Sequence, residues 1–243
     1  MTDRRTIVRV LLASCLAGSL FGLGTGTGAV AGESSCFEND STRHGLMRGD
    51  VDGDGNRDAV WILAKRRNGR CRYFVKADLG DTEDRKRLHG SRFVARHHSR
   101  VMAMVKVDTV PGKEFGVVLE QGASTAFAGL FTIRANTIRR MRVEGNGAPA
   151  DDLFPYGGSI AFQFAVDCAR HRPPGQVIST EAVYDQDANR YKVKRRWFQV
   201  VGVDLQRTNE PTQRERVRPG RLHESFYEFR SSPFGSCAGR APG

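Results

Sequence analysis

The stretch "RGDVDGDGNRDAVWIL", residues 48–63, places Asp50, Asp52 and Asp54 at alternate positions, follows them with Gly55 and Asp58, and then turns abruptly apolar. Alternate aspartates on a tight turn direct successive carboxylates at one centre, and calcium takes about six to eight hard oxygen ligands of that kind. Gly55 permits a sharp bend. Asn56 can offer its backbone carbonyl, and Asp58 returns a last carboxylate from the start of the strand. Aspartate and glycine also favour plain turns that hold no metal. Four carboxylates in so short a span repel one another unless a cation is present. The expectation is therefore a calcium turn with Asp50, Asp52, Asp54, Asn56 and Asp58 as its ligand set.

Two other readings of the same residues are weaker. An EF-hand needs an acidic residue at its twelfth position, and counting from Asp50 that position is Trp61. Arg48-Gly49-Asp50 spells an adhesion tripeptide, but three residues match by chance often and Asp50 is already assigned to the metal.

Working outward, "VMAMVKVDTVPGKEFGVVL" lies on "GLMRGDVDGDGNRDAVWIL" without a gap, so that Asp108 meets Asp52 and Glu114 meets Asp58. A looser third occurrence, "AFQFAVDCARHRPPGQVIST", leads an apolar segment into Asp167 and then a turn and a strand. The three aspartates recur at an interval of just under sixty residues. The second halves also correspond: "FTIRANTIRR" from Phe131 matches "FQVVGVDLQR" from Phe198, and both read as hairpins with short turns. After Phe74 the polar run "GDTEDRKRLHG" stands where such a hairpin is expected. The second turn keeps only Asp108 and Glu114 of its acids, with Lys113 beside them, and is expected to be bare of metal.

The turn that runs Asp-x-Asp-x-Asp-Gly-x-x-Asp into an apolar strand resembles the FG-GAP/VCBS repeat. That resemblance covers residues 47–63 closely and the later units only loosely. It implies blades like those of the integrin α propeller, with calcium in the turn. A repeat of this length built from several short strands is what a propeller blade needs. A closed propeller generally has at least about four blades, whereas three units are visible here, at about 43–98, 99–154 and 155–210. Either residues 210–237 form a degenerate fourth, or the strands pack as a β-sandwich or an open, partial propeller.

The rest of the chain agrees with an all-β fold. Short runs rich in Val, Ile, Phe and Tyr, such as "AVWIL", "CRYFVKADL", "FGVVLE", "QVISTEAVY" and "RYKVKRRWFQVVG", are punctuated by Gly, Pro, Asn and Asp, and helical periodicity is scarce. Residues 1–31 begin basic, pass through an apolar, Gly-rich stretch and end at Ala29-x-Ala31, the order of a cleavable export signal. Arg4-Arg5 leaves the twin-arginine and general secretory routes both open. A lipid-anchoring reading of Cys15 is the lesser alternative. Residues 32–243 then make a single β-rich domain that ends in a segment at 211–243, with no second stretch long enough to span a bilayer. The expected destination is outside the cell or in its envelope.

Cys36, Cys71, Cys168 and Cys237 are an even set in an oxidising destination, which favours disulfides. No pair has the short spacing of a zinc or redox centre. Of the three connectivities, Cys36 with Cys71 and Cys168 with Cys237 is preferred, closing one loop near each end.

The chain carries a formal charge of +11. Its cationic clusters at 65–72, 84–92 and 192–198 offer a binding surface for an anionic cell-envelope polymer, nucleic acid or another protein, and with no nucleic-acid-binding motif present a plainly solvated basic surface is the leading reading. Sequence-specific nucleic-acid binding has no motif to support it. His97-His98, on opposite faces of any strand, cannot readily share a metal. No nucleophile elbow, zinc-protease helix or phosphate-binding loop occurs. The sequence thus suggests a secreted, non-catalytic binding or structural protein. The alternative is a polysaccharide hydrolase or lyase whose carboxylates, among Asp151, Asp152, Glu181 and Glu224, converge in space.

Overall fold

A computed structural model describes residue 36 and residues 44–68, 70–80, 82–87, 99–144, 153–169 and 176–237. The expected export segment, His97-His98 and Asp151-Asp152 lie outside the described residues. Three runs of four consecutive antiparallel strands account for most of the described residues. The first is β1 (His44–Gly49), β2 (Asp58–Arg67), β3 (Arg70–Leu79) and β4 (Thr82–Arg87). The second is β5 (Val101–Val105), β6 (Glu114–Gln121), β7 (Thr125–Arg134) and β8 (Thr137–Arg140). After β9 (Val143–Glu144) and β10 (Phe154–Gly158) comes the third, β11 (Phe162–Cys168), β12 (Gln176–Asp185), β13 (Arg190–Val201) and β14 (Asp204–Arg207). β15 (Gln213–Val217) returns to pair with β13 beside β14.

The first run is a sheet of its own. The second and third belong to one 11-stranded sheet, because β10 pairs with β7 on one side and β11 on the other. Both sheets have open strand orders. Residues 219–237 hold short helical turns, including α1 (Leu222–Ser225), where a fourth run of strands was one expectation.

Local chemistry explains the hairpins. Between β7 and β8 the loop is two residues, Ala135 and Asn136, both at positive φ (49° and 55°), the backbone that matches the twist of flanking strands. The polar run 80–90 corrects the sequence reading: its first part is β4, which pairs with β3 from Leu79↔Thr82 to Phe74↔Arg87. β4 ends its sheet, and an edge strand held by backbone hydrogen bonds needs no apolar pattern and gains from charge.

The core lies between the runs. Val60, Ile62, Val75 and Ala77 of the first pack against Phe115, Val117, Phe131 and Ile133 of the second. Ala128 and Leu130, which alternate with those on β7, face Val166, Val177, Phe198 and Leu205 of the third. The middle run is therefore buried on both sides, and β6 reads as an unbroken apolar string for that reason. Both preferred disulfides form, Cys36 with Cys71 and Cys168 with Cys237.

Candidate metal centre

The turn between β1 and β2 is organised by its own carboxylates. Asp50 accepts the Gly53 N–H at 2.7 Å and the Gly55 N–H at 3.2 Å on its two oxygens. Asp52 accepts the Asp54 N–H at 3.1 Å. Asp58, at the start of β2 and 2% exposed, reaches back to accept the Val51 N–H at 2.8 Å. The result brings one carboxylate oxygen from each of Asp50, Asp52 and Asp58 within 4.8 Å of the others. Asp54 faces elsewhere in this arrangement. Its oxygens accept the Asn56 backbone N–H at 2.7 Å and the Asn56 side-chain amide at 2.8 Å, which hold its carboxyl below the usual range.

Burial raises the Asp58 pKa, and the charges of Asp52 and Asp54 push it further, against the Val51 hydrogen bond. Three converging carboxylate oxygens are donors of the kind that a hard divalent cation such as calcium prefers. Asp50, Asp52 and Asp58 are the residues placed to hold it.

The corresponding turn between β5 and β6 has the same frame with different chemistry. Glu114 starts β6 as Asp58 starts β2, and accepts the Val107 N–H at 3.0 Å, again from seven residues upstream. Lys106 stands where Asp50 stands in the first turn. Its ammonium donates to Asp108 at 3.1 Å, to the Gly112 carbonyl at 2.6 Å and to the Val110 carbonyl. Arg134, at the end of β7, donates to Asp108 at 2.6 Å and to Glu114 at 3.3 Å. Two side-chain cations therefore fill the second turn. Lys113, adjacent in sequence, is not one of them; its backbone N–H donates to the Asp50 carbonyl at 2.9 Å and ties the two turns together. Burial, and then the charge of Asp108, push Glu114 up to about 7, with Lys106 opposing.

The turns touch. A Cβ on Gly53 would lie 2.5 Å from Pro111 Cβ, and one on Gly112 would lie 2.8 Å from the Val51 carbonyl. Both residues are at positive φ, so glycine is required twice over, for the backbone conformation and for the close approach. A cleft of about 360 Å³ opens beside them, lined by Asp52, Asp54, Pro111 and Arg134 among others.

The third aspartate is not an equivalent. Asp167 lies within β11, fully buried, whereas Asp52 and Asp108 lie in loops beyond their strands. It accepts the Cys168 and Ser236 N–H groups at 2.8 and 2.7 Å and the Ser231 and Ser236 hydroxyls at 2.6 and 2.8 Å. Its task is to pin the C-terminal segment beside the Cys168–Cys237 bridge.

Of the carboxylates considered for sugar hydrolysis, Glu181 pairs with Arg196 on one face of β12. Glu224 pairs with Arg221 on α1, whose neighbours Leu222 and Phe226 pack on the other face, against Ala182 and Val193. The sheet separates them.

Lys106 and Arg134 were missed by the sequence reading. The gapless superposition of the two turns already sets Lys106 on Asp50, and a lysine at a ligand position is the signal that was there to be read. Arg134 has no such signal, since only the return of β7 brings it back. Against known proteins, the chain matches no family model, no curated protein and no solved structure.

Proposed function

We propose that this is an exported, non-catalytic binding or structural protein built from FG-GAP/VCBS-like units in a partial, propeller-like stack, and that one calcium ion completes the first turn. The observation that carries the reading is the convergence of Asp50, Asp52 and Asp58 beside a turn of the same frame that supplies its own cations. A frame that is filled by ammonium and guanidinium at one occurrence is a frame that draws positive charge, and among the described residues Asp50, Asp52 and Asp58 of the first make no ion pair with a basic side chain. The unit boundaries have the same support: each run of four strands follows the others in order and packs on its neighbour.

The ion's role is structural. It joins β1 to β2 and, through the contact of Gly53 with Pro111 and Gly112, stiffens the junction of the first and second units. The two disulfides suit an oxidising compartment, and no described helix is long and apolar enough to cross a membrane. Calcium at about a hundred times its dissociation constant should add about 2.7 kcal/mol of stability. Thermal melts in calcium and in chelator test this: the melting temperature should rise with calcium, and Asp52→Ala should abolish the rise. Identical melts for the wild type under both conditions would end the proposal.

A further inference from the structure

The sheet face formed by β13 and β15 is more cationic than folding asks for. Side chains alternate along β13. Tyr191, Val193, Arg195 and Trp197 point to the packed side, where Arg195 forms a two-pronged ion pair with buried Glu228 at 2.7 and 2.8 Å. Lys192, Lys194 and Arg196 point to the other. Across the ladder, Lys192 sits opposite Arg216 and Lys194 opposite Arg214. Like charges directly opposite on paired strands destabilise a sheet, and here two such pairs stand side by side.

Few carboxylates offset them. On this face Asp185 pairs with Lys192 at 2.8 Å and Glu181 with Arg196 at 3.3 Å. Among the described residues, Lys194, Arg214 and Arg216 make no ion pair. Burial lowers the Lys194 pKa, and the neighbouring cations Arg196, Arg214 and Arg207 lower it further, against Glu181. Arg214 and Arg216 are exposed. Between the two rows runs a groove of about 630 Å³ with half-exposed Val183 in its wall and Glu215 at its side.

Protection of an edge strand is the bland explanation, since β15 is an edge and charge there blocks unwanted pairing. That purpose is served by charge of either sign. It gives no reason for the facing positions on β13 to be basic as well.

The geometry points to a binding site for a linear polyanionic glycan, its sulfate or carboxylate groups lying between the Lys192–Lys194–Arg196 row and the Arg214–Arg216 row. This rests on the proposed reading of the protein as a binding module. Alternate residues on a strand repeat at roughly 6.7 Å and adjacent strands lie about 4.8 Å apart, so the two rows offer cations in a regular array along the groove. A single-stranded nucleic acid is the competing polyanion. It gains much of its affinity by stacking bases on exposed rings, and no aromatic residue among the described ones is exposed. Phe162 and Phe164, the nearest on this face, are half-buried against each other with centroids 5.7 Å apart.

The test uses the full chain and heparin as the probe, with polygalacturonate and an oligo-dT of matched charge alongside. Titrations at about 50 mM salt and above should show binding that weakens steeply as salt rises. The triple variant Lys194→Gln, Arg214→Gln, Arg216→Gln should bind heparin at least about tenfold more weakly and with a shallower salt slope. Its melting temperature should be unchanged or higher, because the like-charge pairs are gone; a residue set with only a structural role would lower it. Arg70→Gln with Arg72→Gln, in the other described cationic cluster, should leave binding intact. Loss in that control but not in the triple variant would move the site and overturn the inference while leaving the binding-module reading standing. Tighter binding of oligo-dT than of either glycan would overturn the glycan assignment. Failure of the wild type to bind any of the three would overturn both.

Discussion

The turns at 50–58 and 106–114 share one frame and differ in the charge that one side chain brings to it. In each, an acidic residue at the first position of a strand accepts a backbone N–H from seven residues upstream, Asp58 from Val51 and Glu114 from Val107. In each, an aspartate, Asp52 or Asp108, directly follows that upstream residue. The position that decides the difference is the one before: Asp50 adds a third carboxylate, whereas Lys106 brings an ammonium into the same space. On the proposed reading one turn recruits a cation from solution, whereas the other carries its own on a four-carbon tether. The lesson is that loss of acidic residues in a metal-turn motif need not mean loss of the electrostatic plan. A lysine at a ligand position can keep the frame closed without the metal.

The comparison breaks most sharply at Lys106. Lys106→Met strands Asp108 and Glu114, both largely buried, with Arg134 alone, and removal of one partner from a buried charge cluster costs about 3 kcal/mol. Urea unfolding in chelator should show a loss of that order, and a loss within error of zero would mean the tethered cation does not hold the turn. Lys106→Asp sharpens the same point. It should be as destabilised in chelator but recover with calcium by about 2.7 kcal/mol at a hundredfold excess over the dissociation constant. Calorimetry should then count a second calcium in the variant.

Next come the glycines at the contact. Gly53→Ala forces a Cβ into Pro111 and the Gly112 backbone, and overpacking combined with a left-handed backbone should cost about 2 kcal/mol or more. Gly55→Ala meets open space at φ +87° and should cost only about 1 kcal/mol. If the two variants melt alike, the turns are not packed against each other in solution.

The remaining effect is one of pH. Glu114 titrates at about 7 in the folded chain, against 4.5 without the fold's influence. Between these values the folded state holds a proton that the unfolded state releases, so its contribution to stability is full below the lower value and falls as pH rises towards the upper one. Near the middle of that window the slope is roughly 1.4 kcal/mol per pH unit for one proton. Glu114→Gln should flatten the stability profile across this range, measured in chelator, while leaving it unchanged at more acid pH.

Much of this architecture was legible before any coordinates. Strand runs such as 115–120 and 176–184 and the hairpin turn at Ala135-Asn136 are local, set by side-chain periodicity and turn chemistry over a few residues. The polar strand at 82–87 was hidden for the converse reason: an edge strand is held by its backbone and leaves no apolar alternation to read. Asp167 misled because an aspartate at the right interval looks alike in a loop and in a strand. Burial among Ser231 and Ser236, more than sixty residues away, is what separates the two cases.

By itself the sequence determined the β character, the cysteine pairing preference and the matching of Asp52 to Asp108 and Asp58 to Glu114, because each depends on spacing along one chain. Only the tertiary structure decided which carboxylates converge, that Lys106 and Arg134 fill the second turn, and that Arg214 and Arg216 face Lys194 and Lys192 across a ladder. Those are meetings of charges brought together by strand pairing and loop closure. Coulomb energy depends on distance in space, and separation along the chain does not give that distance.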